Sequence, residues 1–209
     1  PEPRALDVRV TPPDGMTFTP AQAVAANLVT TLLRAPVGGF AVVAGWAGTG
    51  KTTLTRAIVQ SWPGRFVLLA PTGRAARRLA EATGRRAATI HRWMYQPIED
   101  PKTGEVKFRL RGPVDFAAVT GEPCRTCERD PDEGHDLDCP AAAGFAGALV
   151  VIDEASMVGP AVWADFLRVA RGYPNLRVLL VGDDFQLPPI LGPKDVKDYP
   201  AFRPLVAAA

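Results

Sequence analysis

The 209-residue sequence predicts an α/β domain: an open parallel sheet flanked by helices. Three observations predict it. Four short apolar runs, "FAVVAG" (40–45), "RFVLLAPT" (65–72), "ALVVIDE" (148–154) and "RVLLVGDD" (177–184), are continuous rather than alternating, as strands buried on both faces must be. Helix-like stretches lie between the runs. A glycine-rich loop joins the first run directly to the helix after it.

Taken in order, "TPAQAVAANLVTTLL" opens the pattern with Thr19 as a candidate N-cap and Pro20 at the first helical position. "KTTLTRAIVQSW" follows the first strand, "GRAARRLAEAT" the second and "GPAVWADFLRVAR" the third. The alternation breaks between about Tyr95 and Gly147. Within the break, "YQPIEDPKTGEVKFRLR" reads as an inserted β-hairpin around "DPKTGE". In its second arm Val106, Phe108 and Leu110 share one face, and Lys107, Arg109 and Arg111 the other. The expected division is an N-terminal arm (1–17), a discontinuous core domain (18–94 and 147–195), the hairpin (95–112), an acidic Cys/His insertion (113–146) and a C-terminal tail (196–209).

Hydrophobic content of 47% with 22% charged residues describes a globular chain with a core. No apolar run approaches the ~20 residues of a membrane-spanning helix, and the proline-rich start is no secretory signal. A cytoplasmic setting without membrane partners is expected. The net charge of +2 settles nothing, but the charges are segregated. Six arginines (74, 77, 78, 85, 86 and 92) face the single acid Glu81, whereas residues 122–138 hold seven acids against Arg125 and Arg129.

The chemistry begins with "GWAGTGKTT". Gly45 to Thr52 fit G-x-x-x-x-G-K-[ST] between a strand and a helix, the context that gives a P-loop. Gly45, Gly48 and Gly50 let the backbone curl so that amides, with those of Thr49 and Thr53, surround phosphate oxygens. Lys51 supplies a point charge to the β- and γ-phosphates, and the Thr52 hydroxyl a ligand for Mg²⁺. Asp153 and Glu154 end a buried strand. Asp153 suits Mg²⁺, and Glu154 suits the activation of an attacking water, which favours hydrolysis over transfer to a metabolite. Gln186, in "GDDFQLPPI", suits a sensor of the γ-phosphate. ATP and Mg²⁺ are therefore the expected cofactors.

In this order, "GWAGTGKTT", "APTGRAARRL", "TIHRWM", "VVIDEASMV" and "VGDDFQLPPI" resemble the RecD/Dda-type helicases, the 5′-to-3′ branch of superfamily 1. The resemblance covers the first RecA-like domain, residues 18 to about 195. It implies that Gln22 reads the adenine edge, and that the loop with Pro71, Thr72 and Arg74 and the segment with His91 and Arg92 lie along single-stranded DNA. It also implies that the hairpin, with Phe108, serves as the pin that splits the duplex. The arginine-rich segment beside Trp93 and Tyr95 agrees independently, combining phosphate attraction with faces on which bases stack. The alternative places Trp93 in the core and some arginines on a solvated helix face.

Helicases of this branch need a second RecA-like domain, in cis or trans, and no motif of one follows Ile190. The chain also opens on Pro1 rather than Met. A piece of a longer motor is therefore expected, nearly inactive alone, with a split protein as the alternative. The competing function is a non-translocating, nucleotide-dependent switch that binds DNA or protein.

Cys124, Cys127, His135 and Cys139 form C-x₂-C-x₇-H-x₃-C, a tetrahedral set for structural Zn²⁺. Free thiols or a disulfide are the alternatives. The acidic surroundings repel phosphates, so this loop suits bracing the hairpin or docking a protein partner rather than gripping DNA.

Overall fold

The computed structural model describes residues 8–35, 38–110, 148–171 and 176–183. Its centre is a five-stranded, all-parallel sheet. In chain order the strands are β1 (Gly39–Ala44), β2 (Phe66–Ala70), β3 (Ala88–Thr89), β6 (Leu149–Ile152) and β7 (Arg177–Gly182). In space they run β1-β7-β6-β2-β3. The remaining two strands, β4 (Tyr95–Glu99) and β5 (Val106–Leu110), pair antiparallel as a separate hairpin.

The continuous apolar runs work because successive side chains serve opposite faces of one sheet. From β2, β6 and β7, Val67, Leu69, Val150, Ile152, Val178 and Leu180 enter one core, and Leu68, Leu149, Val151, Leu179 and Val181 the other. The second core is closed by α1 (Pro20–Arg34), α2 (Lys51–Ser61) and α3 (Gly73–Thr83) through Val29, Leu33, Leu54, Ile58 and Leu79. The first is closed by α4 (Ile90–Met94) and α5 (Pro160–Ala170) through Ile90, Trp93, Met94, Phe166 and Val169. Each fully buried side chain of this size contributes roughly 1.5–3 kcal/mol, so both faces must be covered for the sheet to persist.

Helix boundaries follow local chemistry. Thr19 and Gln22 form a reciprocal capping box at α1, with Pro20 in the first turn. Thr72 caps α3 by accepting from the Ala75 amide, and Gly84 (φ 67°) ends it in the left-handed region. At the far end of α1, buried Arg177 donates to the Ala35 carbonyl and stacks over Trp62, 5.3 Å from the ring centroid.

The structure bears on three of these readings. In the "TIHRWM" segment Thr89 closes β3, which joins the sheet edge, and the rest forms α4. Trp93 is 1% exposed and packs against Phe166, so it offers no face to a base. Away from its root, the hairpin buries neither face. Val106 and Phe108 are exposed, and only Leu110, with Tyr95 opposite, reaches the core. Alternation marks a half-buried strand only where something covers one face, and no described residue covers the outer hairpin.

The hairpin is fastened at its root. Tyr95 Oη donates to Asp165 Oδ2 on α5 (2.5 Å), and Arg168 pairs with the other carboxylate oxygen (3.1 Å). Burial, then the hydrogen bond to Asp165, pushes the Tyr95 phenol well above its ordinary range. Its turn is closed by the Gly104 amide on Asp100 and the Asp100 amide on Glu105, with Gly104 at φ 68°. None of the described helices is long and apolar enough to cross a membrane.

Candidate nucleotide site

Parallel strands deliver their C-terminal ends to one edge of the sheet, where α/β proteins place their ligands. Here the adjacent strands β1, β7 and β6 deliver the glycine-rich loop, Asp183, and the pair Asp153–Glu154. The order of strands thus brings together residues more than a hundred positions apart.

The loop leaves β1 at Gly45 and ends at Gly50, immediately before α2. Gly48 (φ 78°) and Gly50 (φ 82°) occupy the left-handed region that other side chains avoid. At Gly50 a methyl group would also stand 2.2 Å from Gln22 Nε2. Inside the loop, the Thr49 hydroxyl donates to the Trp46 carbonyl (2.8 Å). Lys51 Nζ donates to the Gly45 and Trp46 carbonyls and stands 3.9 Å from Asp183 Oδ2. The first turn of α2 has no side-chain cap and no acid, leaving its amides and the positive end of its dipole for an anion. Thr52 is exposed on that turn, and Thr53 is half-buried beside it.

Gln22 is brought to this loop in a way the sequence did not reveal. Its Oε1 accepts from the Thr19 amide, while its Nε2 donates to the carbonyls of Thr49 (3.2 Å) and Gly50 (3.4 Å). The capping box therefore ties the start of α1 to the phosphate loop.

Asp183 was also missed, although "GDD" at a strand end was a usable signal. At 3% exposure it is buried, with Oδ2 3.9 Å from Lys51 Nζ. Asp153 continues the sheet ladder, its amide donating to the Leu69 carbonyl (2.9 Å), and its carboxylate accepts from the Glu154 amide (3.0 Å). Glu154 is the only described non-glycine residue with positive φ (52°). Such backbone costs of order 1–3 kcal/mol and gathers at sites where a side chain must be aimed. From α3, Arg78 Nη1 reaches Glu154 Oε1 at 3.8 Å.

Burial pushes the Asp153 carboxyl above its ordinary value of 3.8; the Glu154 amide lowers it, the Glu154 charge raises it, and Lys51 and Arg78 lower it. A half-buried carboxylate whose ionised form is disfavoured suits a cation, and the Thr52 hydroxyl supplies matching oxygen chemistry. Because the folded value exceeds the unfolded one, the folded protein holds this proton more tightly, and Asp153 erodes stability as pH rises from 3.8 through its raised value. In Mg²⁺-free buffer at neutral pH, Asp153→Asn is therefore expected to melt at a higher temperature than wild type. The difference should vanish below that window. Calorimetry across pH checks it, and a lower melting temperature for the variant at neutral pH would refute it.

The residues expected along a polynucleotide follow the next two strands. Pro71, Thr72 and Arg74 come directly after β2, and His91 and Arg92 after β3. Thr72, Arg74, His91 and Arg92 are exposed, and His91 stacks on Tyr95 with ring centroids 5.8 Å apart. Phe108 stands 72% exposed on the hairpin. Gln186 and the set Cys124, Cys127, His135 and Cys139 lie outside the described residues; among the described ones no three or more His, Cys, Asp or Glu residues gather as a metal-binding group.

Comparison with known proteins agrees with this geometry. The family model described as an AAA domain matches residues 18–199. The chain is 36% identical over 152 residues to the ATP-dependent RecD2 DNA helicase of Deinococcus radiodurans, covering 71% of this chain and 16% of that protein. It is 30% identical over 175 residues to the RecBCD enzyme subunit RecD of Mycolicibacterium smegmatis, covering 71% of this chain and 25% of that one. Among solved structures, one described as the basis for DNA unwinding at forked dsDNA by two coordinating Pif1 helicases aligns with a TM-score of 0.54 at 23% identity. That alignment covers 87% of this chain and 37% of that one, and it is a likeness of fold. The chain thus spans a quarter or less of the curated relatives' length.

Proposed function

Since the chain belongs to the AAA domain family, on a match over residues 18–199, we propose that it is the ATP-binding motor domain of a RecD-like DNA helicase. The observation that carries this reading is the meeting of Lys51, Asp183 and the Asp153–Glu154 pair at one sheet edge, beside exposed Thr72, Arg74, His91 and Arg92.

In this reading the loop amides and Lys51 hold the phosphates, and Gln22, already seated on the loop, faces the base. Thr52 and Asp153 would hold Mg²⁺, which neutralises charge on the transferred phosphoryl group. Glu154 accepts a proton from the attacking water, and Gln186 contacts the γ-phosphate. Arg74, His91 and Arg92 line the path of a single strand that the motor follows 5′ to 3′, and the hairpin with Phe108 separates the duplex ahead. A Zn²⁺ held by Cys124, Cys127, His135 and Cys139 would brace the acidic segment as a docking face for a protein partner.

A second RecA-like domain completes the ATP site by supplying arginine, a contribution of ~10³–10⁵ in rate. The 209-residue chain alone is therefore expected to bind single-stranded DNA in a nucleotide-dependent way and to turn ATP over slowly. Fluorescence anisotropy of a labelled oligothymidylate, with and without a non-hydrolysable ATP analogue, tests the first part. A DNA affinity indifferent to nucleotide would refute the motor reading. Fast DNA-stimulated turnover by the isolated chain would refute the need for a second domain.

A further inference from the structure

Arg78 belongs to the arginine-rich helix yet leans toward the ATP chemistry. It lies one turn beyond Arg74 on α3, so the two side chains leave the same helix face. Its side chain is 72% exposed and its Nη1 stands 3.8 Å from Glu154 Oε1, whose side chain is 24% exposed. Strand order explains the meeting: β2 leads into α3, its parallel neighbour β6 ends at Asp153 and Glu154, and Leu69 pairs with Ile152. The exposed pairs Arg77–Glu81, Lys107–Glu105 and Arg168–Asp165 join near neighbours in the chain. Arg78–Glu154 instead joins two elements with different tasks.

The pair is too long for a hydrogen bond and too exposed to matter for stability. It matters for where the Glu154 carboxylate points. A carboxylate held toward a guanidinium on α3 is turned away from a water at the phosphates. A phosphodiester offers that guanidinium a planar, two-oxygen partner that it binds better than a distant carboxylate.

We propose that Arg78 is a restraint on Glu154, and that a phosphate of single-stranded DNA passing α3 draws Arg78 away and frees the carboxylate to activate water. Arg78 then acts through Glu154 and touches no reacting atom, so it is a positioning residue. The proposal rests on the helicase reading above. It predicts that part of the acceleration of ATP hydrolysis by DNA is relief of a restraint inside this chain.

The test is ATP turnover by the chain with and without saturating oligothymidylate, with kcat and KM determined separately. Arg78→Ala is expected to raise DNA-free kcat by up to about fivefold, the reach of an exposed ion pair of ~1 kcal/mol, at unchanged KM for ATP. Its stimulation by DNA should shrink by the same factor, and Arg78→Lys, which keeps the charge facing Glu154, should keep the low DNA-free kcat. A purely structural role would not raise DNA-free kcat. Arg78→Ala with a wild-type or lowered DNA-free kcat, or with undiminished stimulation, overturns the proposal. Glu154→Gln separates the two levels: wild-type turnover in that variant sinks the hydrolysis reading itself, whatever Arg78 does.

Discussion

Lys51→Ala is expected to lower ATP turnover by at least about 10²–10³, the usual cost of losing one preorganised charge at a developing anion. The geometry explains the size of the effect. Lys51 opens α2, and its Nζ is held inside the loop by the Gly45 and Trp46 carbonyls, so the ammonium is placed before any phosphate arrives. Removing it also takes away a cation 3.9 Å from Asp183, a carboxylate at 3% exposure. Binding should weaken together with turnover, because a phosphate loses the same charge in the ground state and at the transition state. Lys51→Arg is not a rescue: a planar fork cannot occupy a pocket shaped by two carbonyls around a point charge. Titration with a fluorescent ATP analogue and single-turnover phosphate release measure both parts. Turnover within about threefold of wild type would refute the assignment.

Glu154→Gln should separate binding from chemistry. Turnover is expected to fall by about 10²–10⁴, the range for a lost general base, while ATP affinity stays near the wild-type value. The amide preserves size and the backbone at φ 52°, so the fold gives no reason for the site to collapse. What it lacks is the ability to accept a proton. The same variant should therefore accumulate ATP-bound protein in a filter-binding assay. A parallel loss of affinity and turnover would place Glu154 in nucleotide binding instead.

Much of this was legible before the structure. Four of the five sheet strands announce themselves as continuous apolar runs, because burial on both faces removes any need for alternation. The Thr19 cap, the glycine loop and the Asp153–Glu154 pair are short-range signals and appear where local chemistry puts them. β3 was not legible: two residues carry no period, and only the neighbouring β2 makes them a strand. Trp93 was ambiguous for a related reason. Whether an aromatic beside arginines faces a base or a core depends on Phe166, some seventy residues away in the chain. The contacts of Gln22 with the loop, of Asp183 with Lys51 and of Arg78 with Glu154 all cross between elements. They follow from the order in which strands lie side by side, which no local pattern encodes.

The root of the hairpin has a mechanical consequence. With five residues per arm, rising ~3.3 Å each, the hairpin is a beam roughly 17 Å long whose outer surfaces lean on no described residue. It is a cantilever. A load applied near its tip becomes a torque at Tyr95 and Leu110, where the beam enters the core. The bond from Tyr95 to Asp165 passes that torque into α5, which follows the turn bearing Asp153 and Glu154. Stiffness at that fulcrum, more than the make-up of the tip, then sets how much push at one end is felt at the other.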